Sequence, residues 1–375
     1  MKNIQRIAVA TLAASVLVAL AGCSSTPAEP SSSEAAPDGD MAALVAAAKE
    51  EGELTFYGDA NETSLQAWTQ GFSEEYGITV NILRLPGSEL NQRFAQEMSA
   101  DQHQADIFSI ADRVSMQSAV DSGWIAEYTP ENADLYPADQ SGPGFFYPVQ
   151  NGYFQTVAYN PSLLTDAEIK EIRKDPIKAA GDPVFKGRVG VNMPQSSQQA
   201  AAFYYRFAEG DAADEYGWDA LQAIADNDPL FYSSATLVQN LIAGEYAIAV
   251  ALTDSLAAPQ ALQGAPLEFV YPKDTTGGYF AVGVVEDAPH PNAARLFMEW
   301  ATTPEANASY TTITQTVPAN SEVSDDRELL SFDWYKGPEI DNVWFDFIDD
   351  EEFLKASSAD GDFLSQWNEV FGYSG

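Results

Sequence analysis

Two α/β lobes joined by extended crossings, with a ligand cleft between them, form the fold class this sequence predicts. Three observations carry that reading. The chain has 375 residues, beyond the roughly 250–300 at which a single hydrophobic core stops growing. Strand-like and helix-like stretches alternate along it, a pattern that covers both faces of a mostly parallel sheet with helices. Between two such runs lies Gln155–Leu163, Q-T-V-A-Y-N-P-S-L. Thr156, Val157, Ala158 and Tyr159 favour extended backbone, and Pro161 forces Asn160 out of helical geometry. The stretch therefore reads as a strand passing from one lobe to the other. Lobes hinge on such connections, and the clefts between them hold small molecules.

The amino terminus has the layout of an export signal. Lys2 and Arg6 precede an apolar stretch, Ile7–Leu20, and Leu20-Ala21-Gly22-Cys23 follows at once. The apolar run is shorter than the roughly 20 residues of a membrane span. L-A-G-C resembles a bacterial lipobox, which implies cleavage before Cys23 and diacylation of its thiol. Cys23 is the chain's single cysteine, so disulfides and Cys-rich zinc sites are excluded. Ser24–Asp40 is built from Ser, Pro, Glu, Ala, Asp and Gly with almost nothing to bury. It reads as a tether between a lipid anchor and a folded body.

The first lobe follows. Met41–Glu50 is an Ala-rich helix, Leu54–Tyr57 a strand, and Thr63–Tyr76 a helix with Leu65, Trp68 and Phe72 on one side. Ile78–Leu83 is the next strand, Ser88 caps a helix through Met98, Ala105–Ile110 is a buried strand, and Val114–Val120 is helical. Ligands of such sheets sit at the carboxyl ends of the strands. The candidate contacts here are therefore Tyr57, Asp59, Asn61, Ser88, Ser109 and Asp112. Trp124–Tyr153 is rich in proline and reads as a loop, with Phe145, Phe146 and Tyr147 packed beneath it and Tyr153 just before the crossing.

In the second lobe, Asp166–Lys178 is a polar helix and Gly187–Met193 a strand. Met193-Pro194-Gln195-Ser196-Ser197 then leads into a helix through Phe207. Ser196 and Ser197 offer hydroxyls at a helix start, where unpaired N–H groups favour an anion, although capping the helix is a sufficient use for either. Asp219–Asp226 and Ser234–Ile242 are helical. Tyr246–Leu252 is a buried strand ending at Thr253-Asp254-Ser255, which places Asp254 and Ser255 toward the cleft. Leu267–Tyr271 and Tyr279–Val285 are strands, and Tyr279 is a further candidate contact. Helices follow at Pro291–Thr302 and from Pro304. Thr314–Pro318 reads as a second extended passage, and the acidic, aromatic C-terminal helices pack on the body. The boundaries so drawn are a signal at 1–22, a tether at 23–40, one lobe from 41–156 and 270–317, the other from 157–269, and C-terminal helices at 318–375.

Composition narrows the function. Hydrophobic residues make up 45% and aromatic residues 12% of the chain, enough for packed cores. Against 18 Lys and Arg stand 56 Asp and Glu, a formal charge of −38. Such a surface repels nucleic acid, whose binding depends on Lys and Arg at phosphates. The only histidines are His103 and His290. Neither lies near a G-x-S-x-G elbow, and the chain contains no H-E-x-x-H, P-loop or G-x-G-x-x-G. No enzyme, catalytic residue, resident metal or cofactor is expected.

Four stretches carry a family resemblance: the lipobox, A-A-A-K-E-E-G-E-L-T-F-Y-G (Ala46–Gly58), Q-A-D-I-F-S-I (Gln104–Ile110) and A-P-H-P-N-A-A-R-L-F (Ala288–Phe297). Together they resemble the family-1 extracellular solute-binding proteins of ABC importers, in the branch that holds ferric, thiamine, organophosphate and phosphonate binders. The resemblance implies a type II periplasmic-binding-protein fold that closes on its solute and docks on a permease driven by paired ATPases. A monomer, lipid-anchored outside the cytoplasm, is expected. Ferric members of that branch carry a histidine or acidic ligand after the first strand and a Tyr-Tyr pair in the second lobe. Here those positions fall near Asn61 and at Asp254-Ser255, although Tyr57, Tyr153, Tyr279, Asp112 and Asp254 together offer another oxygen set for iron. Hydroxyls at Ser88, Ser196 and Ser197 suit a phosphonate, phosphate or carboxylate, and Asp59 and Asp254 suit an ammonium. The expected solute is a small anionic or zwitterionic organic molecule, with ferric iron as the alternative. A sensory lipoprotein and an extracellular hydrolase are the readings from other classes.

Overall fold

A computed structural model describes residues 41–142, 145–358 and 361–374. The signal, Cys23 and the tether lie outside them. The chain runs through α1 (Met41–Glu51), β1 (Glu53–Gly58), α2 (Glu62–Tyr76), β2 (Thr79–Arg84), α3 (Gly87–Ser99), β3 (Ile107–Ile110) and α4 (Arg113–Asp121) to the long strand β4 (Phe146–Tyr159). Next come α5 (Asp166–Lys174), α6 (Pro176–Ala180), β5 (Val189–Asn192), α7 (Gln198–Ala208), α8 (Gly217–Ala225), β6 (Leu230–Tyr232), α9 (Ser234–Ala243), β7 (Ile248–Thr253), α10 (Asp254–Leu262) and β8 (Glu268–Val270). It returns through β9 (Gly277–Val284), α11 (Pro291–Ala301) and α12 (Pro304–Thr314), and ends in α13 (Glu351–Ala356) and α14 (Asp362–Phe371). The strands lie in the order β2-β1-β3-β9-β4-β7-β5-β6, with β8 also on β4. β1 pairs parallel with β2 and β3, and β5 pairs parallel with β6 and β7.

All fourteen residues of β4 are buried. Its first half pairs antiparallel with β9, from Phe146↔Gly283 to Phe154↔Gly277, and its second half with β7 and β8, from Gln155↔Thr253 to Tyr159↔Ile248. One strand thus belongs to both lobes, and β8 leads back into β9 beside it as the second crossing. The sequence places the start of this strand too late. Phe146, Tyr147 and Tyr153 are in the strand itself, and its register shifts between Tyr147 and Gln150, where Pro148 has no N–H to give the ladder. At Thr314–Pro318 only a single bridge forms, Val317 with Gly152. Pro176 splits the predicted helix Asp166–Lys178 in two, with Asp175 capping the second piece through Lys178 N–H. Ser88 is not a cap: α3 starts one residue earlier, after Pro86.

The motifs spread along the first lobe meet in space. The Asp106 carboxylate of Q-A-D-I-F-S-I accepts the backbone N–H of Thr55 at 2.6 Å and pairs with His290 Nδ1 at 2.9 Å. The Glu51 carboxylate sits at the start of α11 and accepts the N–H of Asn292 and Ala293, the position where a helix best stabilises an anion. Trp68 then fills the core between α2, α11 and α12 against Phe297, Trp300 and Tyr310, its Nε1–H donating to Ala306 O.

The second lobe is covered on one face by the chain's end. Tyr205 of α7 meets Phe353 and Phe363, and Tyr204 meets Trp367. Before reaching α13, the chain passes the β8–β9 crossing as a strap. There Trp344 N–H donates to Thr275 O, Gly277 N–H donates to Trp344 O, and the Phe345 ring stacks on Tyr279.

Asp254 locks the crossing from below. It is 2% exposed, and its carboxylate accepts the Phe154 N–H at 2.9 Å and the Tyr271 hydroxyl at 2.9 Å. Asp254→Ala leaves that N–H buried without an acceptor, so urea unfolding is expected to register a loss of about 1–3 kcal/mol. Asp254→Asn keeps an oxygen in place and costs less. A loss below about 0.5 kcal/mol for the alanine variant would show that water replaces the carboxylate.

Candidate functional site

The parallel strands of each lobe point their carboxyl ends at a cleft of about 470 Å³. The first lobe contributes Asp59 after β1, Pro86-Gly87-Ser88 at the start of α3 and Ala111-Asp112 after β3; the second contributes Pro194–Gln199 between β5 and α7. Three helix starts, those of α3, α4 and α7, therefore border one space. α4 is capped by Asp112, which accepts the Val114 N–H at 3.0 Å, and α7 by Ser197, which accepts the Ala200 N–H at 3.2 Å. α3 starts beside this space without a side-chain cap, so no carboxylate or hydroxyl at its N-cap takes up its first N–H groups.

Asp59 is held by the Ala111 N–H, at 3.1 and 3.3 Å from its two oxygens. Burial pushes its carboxyl up to about 7, against the pull of that N–H and of Arg84, and with a further push from Asp112. Asp59 thus stands near the midpoint of its titration at neutral pH and can donate as well as accept. Gly87 leaves it room: a Cβ there would lie 2.9 Å from Asp59 Oδ2 and displace the end of that side chain.

A chain of polar contacts runs under the cleft from lobe to lobe. Gln199 Nε2 donates to the Tyr153 hydroxyl, the Tyr153 hydroxyl donates to Ala111 O at 3.3 Å, and the Ala111 N–H reaches Asp59. Burial, together with the charges of Asp59, Asp112 and Asp254, holds the Tyr153 phenol well above its usual value, so it stays a donor. On the second lobe, fully buried Asn192 organises the loop before α7. Its amide donates to Ala251 O and Ser234 Oγ, and its oxygen accepts the Ser196 hydroxyl at 2.8 Å. Ala251 has a φ of 59° and is the bulged residue where the pairing of β7 with β4 shifts.

Of the residues picked from the sequence, Asp59, Ser88, Asp112, Ser196 and Ser197 line this cleft, and Tyr153 lies directly beneath it. The others are placed elsewhere. Tyr57 turns to α3, where its hydroxyl donates to Glu97 and receives Arg93. Ser109 is buried and accepts from Gln150. Asn61 caps α2 through the Ser64 N–H. Asp254 serves the crossing as described, Ser255 is the second residue of α10, and Tyr279 stacks on Phe345 at 5.7 Å. Strand residues alternate sides, so only those at the very end of a strand, or just past it, reach the cleft. The sequence reading omitted Gly87, Gln195, Gln199 and Asn192, and also Phe347, Ser357 and Leu364, which bring the C-terminal segment into the lining. Gln198-Gln199 directly after a serine cap was the signal available for α7; the C-terminal residues carried none.

Comparison with known proteins agrees with this architecture. The family described as bacterial extracellular solute-binding protein matches residues 58–308. The Fe(3+)-binding periplasmic protein of Serratia marcescens is 23% identical over 265 residues, 66% of this chain and 73% of that protein. Iron-bound HitA from Pseudomonas aeruginosa superposes with a TM-score of 0.65 at 18% identity, covering 85% of this chain and 99% of that one. AfuA from Actinobacillus pleuropneumoniae, with fructose-6-phosphate bound, gives 0.64 at 19% identity over 86% and 100%. These likenesses show the fold: two α/β lobes of the type II periplasmic-binding-protein kind. Among the described residues, no helix is long and apolar enough to cross a membrane.

Raising a carboxyl from its unfolded value of 3.8 to about 7 means that the folded state binds the extra proton between those values. Its stability contribution is complete at low pH and is lost as pH rises through 7. Asp59→Asn should therefore unfold like the wild type near pH 4 and be more stable above pH 7, by on the order of 1–2 kcal/mol once solvent in the cleft is allowed for. Urea unfolding across that range is the check; parallel pH profiles would show that Asp59 ionises without penalty.

Proposed function

Because the chain belongs to the bacterial extracellular solute-binding proteins, a family of transport receptors and not of enzymes, we propose that its cleft captures a small anionic or zwitterionic organic solute. Phosphonates and organophosphates are the class in view, and the receptor delivers its cargo to the permease and ATPase of an ABC importer. The observation that carries this reading is the meeting of three helix starts around one cleft, with hydroxyls at Ser88 and Ser197 among them. Backbone N–H groups at helix starts bind oxyanions without a lysine or arginine. Asp59 and Asp112 stand among these helix starts, beside α3 and at the cap of α4; they suit an ammonium, and a protonated Asp59 donates to an oxyanion. A TM-score of 0.64 to a protein with fructose-6-phosphate bound adds support at the level of fold.

Ferric iron is the second reading. The Serratia relative is named for Fe(3+), and Asp59 and Asp112 are hard oxygen donors lining one space. No group of three or more His, Cys, Asp and Glu among the described residues is placed to hold a metal; of the tyrosines that would complete such a set, Tyr57 bonds to Glu97 and Tyr279 stacks on Phe345, while the Tyr153 hydroxyl lies beneath the cleft on Gln199 and Ala111. The remaining parts of the proposal concern location. Cys23 carries the lipid, the tether lets a monomeric body reach its permease, and the receptor works outside the cytoplasm. A sensory role would use the same cleft and differ only in its partner.

A thermal-shift screen with phosphonates, organophosphates, thiamine, amino acids, polyamines and ferric citrate separates these readings. A true solute at a hundred times its Kd adds about 2.7 kcal/mol. Stabilisation by an organic oxyanion and not by ferric citrate is the expected result, and the reverse pattern establishes the iron receptor.

A further inference from the structure

We infer that the solute carries an apolar group beside its charged head, and that the C-terminal segment, through Phe347 of the strap and Leu364 of α14, supplies part of the wall that recognises it. This rests on the organic-oxyanion reading above and adds to it. The cleft of about 470 Å³ far exceeds a bare tetrahedral oxyanion: at about 30 Å³ per water in the liquid, it has room for on the order of fifteen. Its lining is also divided. Asp59, Ser88, Asp112 and Gln199 gather around the helix starts, while Phe347, Leu364, Val114 and Ala201 give it an apolar side. Val114 is 38% exposed, a β-branched side chain left in water at a site otherwise built to be filled. Phe347 and Ala201 are themselves buried and back this side, so the surface that an apolar substituent would remove from water is that of Val114 and the partly exposed Leu364.

The strap fixes this wall independently of either lobe's core alone. Trp344 is hydrogen-bonded through its backbone to Thr275 and Gly277 at the second crossing. Three residues on, the Phe347 ring is set between Trp344 and Phe353, with centroids at 5.7 and 5.9 Å. Two residues further, Asp349 pairs with Arg113 at the start of α4 at 3.3 Å. The apolar side is therefore pinned to the crossing, to the second lobe and to the first lobe at once, and it meets a solute held at the helix starts.

The test compares phenylphosphonate with methylphosphonate by titration calorimetry on the full chain, in the wild type, Phe347→Ala and Leu364→Asn. Phe347 is buried in the second lobe's core and the partly exposed Leu364 packs on the edge of that core, so urea unfolding first establishes that each variant is folded. The phenyl compound is expected to bind at least tenfold tighter in the wild type, and this ratio is expected to fall to within about threefold in each folded variant. Taking the ratio within one variant cancels any general loss of binding. Equal affinities in the wild type, or a ratio preserved in Leu364→Asn, would overturn the inference while leaving the oxyanion reading intact. If neither compound binds the wild type at millimolar concentration, the inference falls, and the oxyanion reading falls with it only when the thermal-shift screen also finds no stabilising organic oxyanion.

Discussion

A strand buried along its whole length has nowhere to put its backbone polar groups except into neighbouring strands, and β4 is such a strand for fourteen residues. Everything else in the molecule is arranged to satisfy it. β9 serves the first half, β7 and β8 the second, and at the changeover neither ladder is complete. The Phe154 N–H goes to Asp254, the Gln155 N–H to Thr276 O and the Gln155 carbonyl to the Thr275 hydroxyl. The two lobes are thus joined by side-chain and loop hydrogen bonds at one short region, while each has its own ladder beyond it. That is a physical basis for a hinge: strong pairing on both sides of a locally irregular crossing.

The cleft follows from the same arrangement. Parallel strands on each side of β4 send their following helices away from it, so the helix starts of both lobes are left facing one another. The chain's charge of −38 opposes an anion at long range, but exposed charges are screened over about 8 Å at physiological ionic strength. Within the cleft the fixed N–H groups and hydroxyls act at contact distance, where that field matters least. The general acidity therefore bears on the rate of capture more than on its strength.

Much of this was legible in the sequence, and the exceptions have physical causes. The alternation of apolar strands and amphipathic helices follows from burial on two sides of a sheet, so Leu54–Tyr57, Ala105–Ile110 and Tyr246–Leu252 were readable to within a few residues. Phe146–Gln150 was not, because Pro148 is an ordinary loop signal and only its position at a register shift makes it tolerable in a strand. For the site, the rule that ligands meet strand ends found Asp59 and Asp112 but also admitted Tyr57 and Ser109, since the rule gives the end of the sheet and not the side of the pleat. Asp254 looked like a binding carboxylate because a polar residue after a buried strand usually meets solvent. Here the following helix turns it inward onto Phe154. The C-terminal contribution was illegible for a different reason: Phe347 and Leu364 reach the cleft through tertiary packing over the crossing, and no local pattern encodes that.

The same placements separate the two chemistries a receptor of this fold could serve. A ferric ion is bound most strongly by anionic oxygens, phenolates among them, and each phenol in reach of the crossing is held back from ionising. Tyr57 is raised by burial and by Glu97, Tyr153 by burial and by three aspartates, and Tyr279 by burial to about 12. Enlisting Tyr57 or Tyr279 would require breaking its present contact with Glu97 or Phe345, and a phenol used as a ligand would give up its proton to the metal's own charge. An organic oxyanion makes none of these demands. Gly87 and Ser88 at the start of α3 already line the cleft, and Asp59, its carboxyl pushed up by burial while it holds the Ala111 N–H, can give a proton to a hydrogen bond. These placements are the reason an organic oxyanion stands first and ferric iron second in the function proposed above.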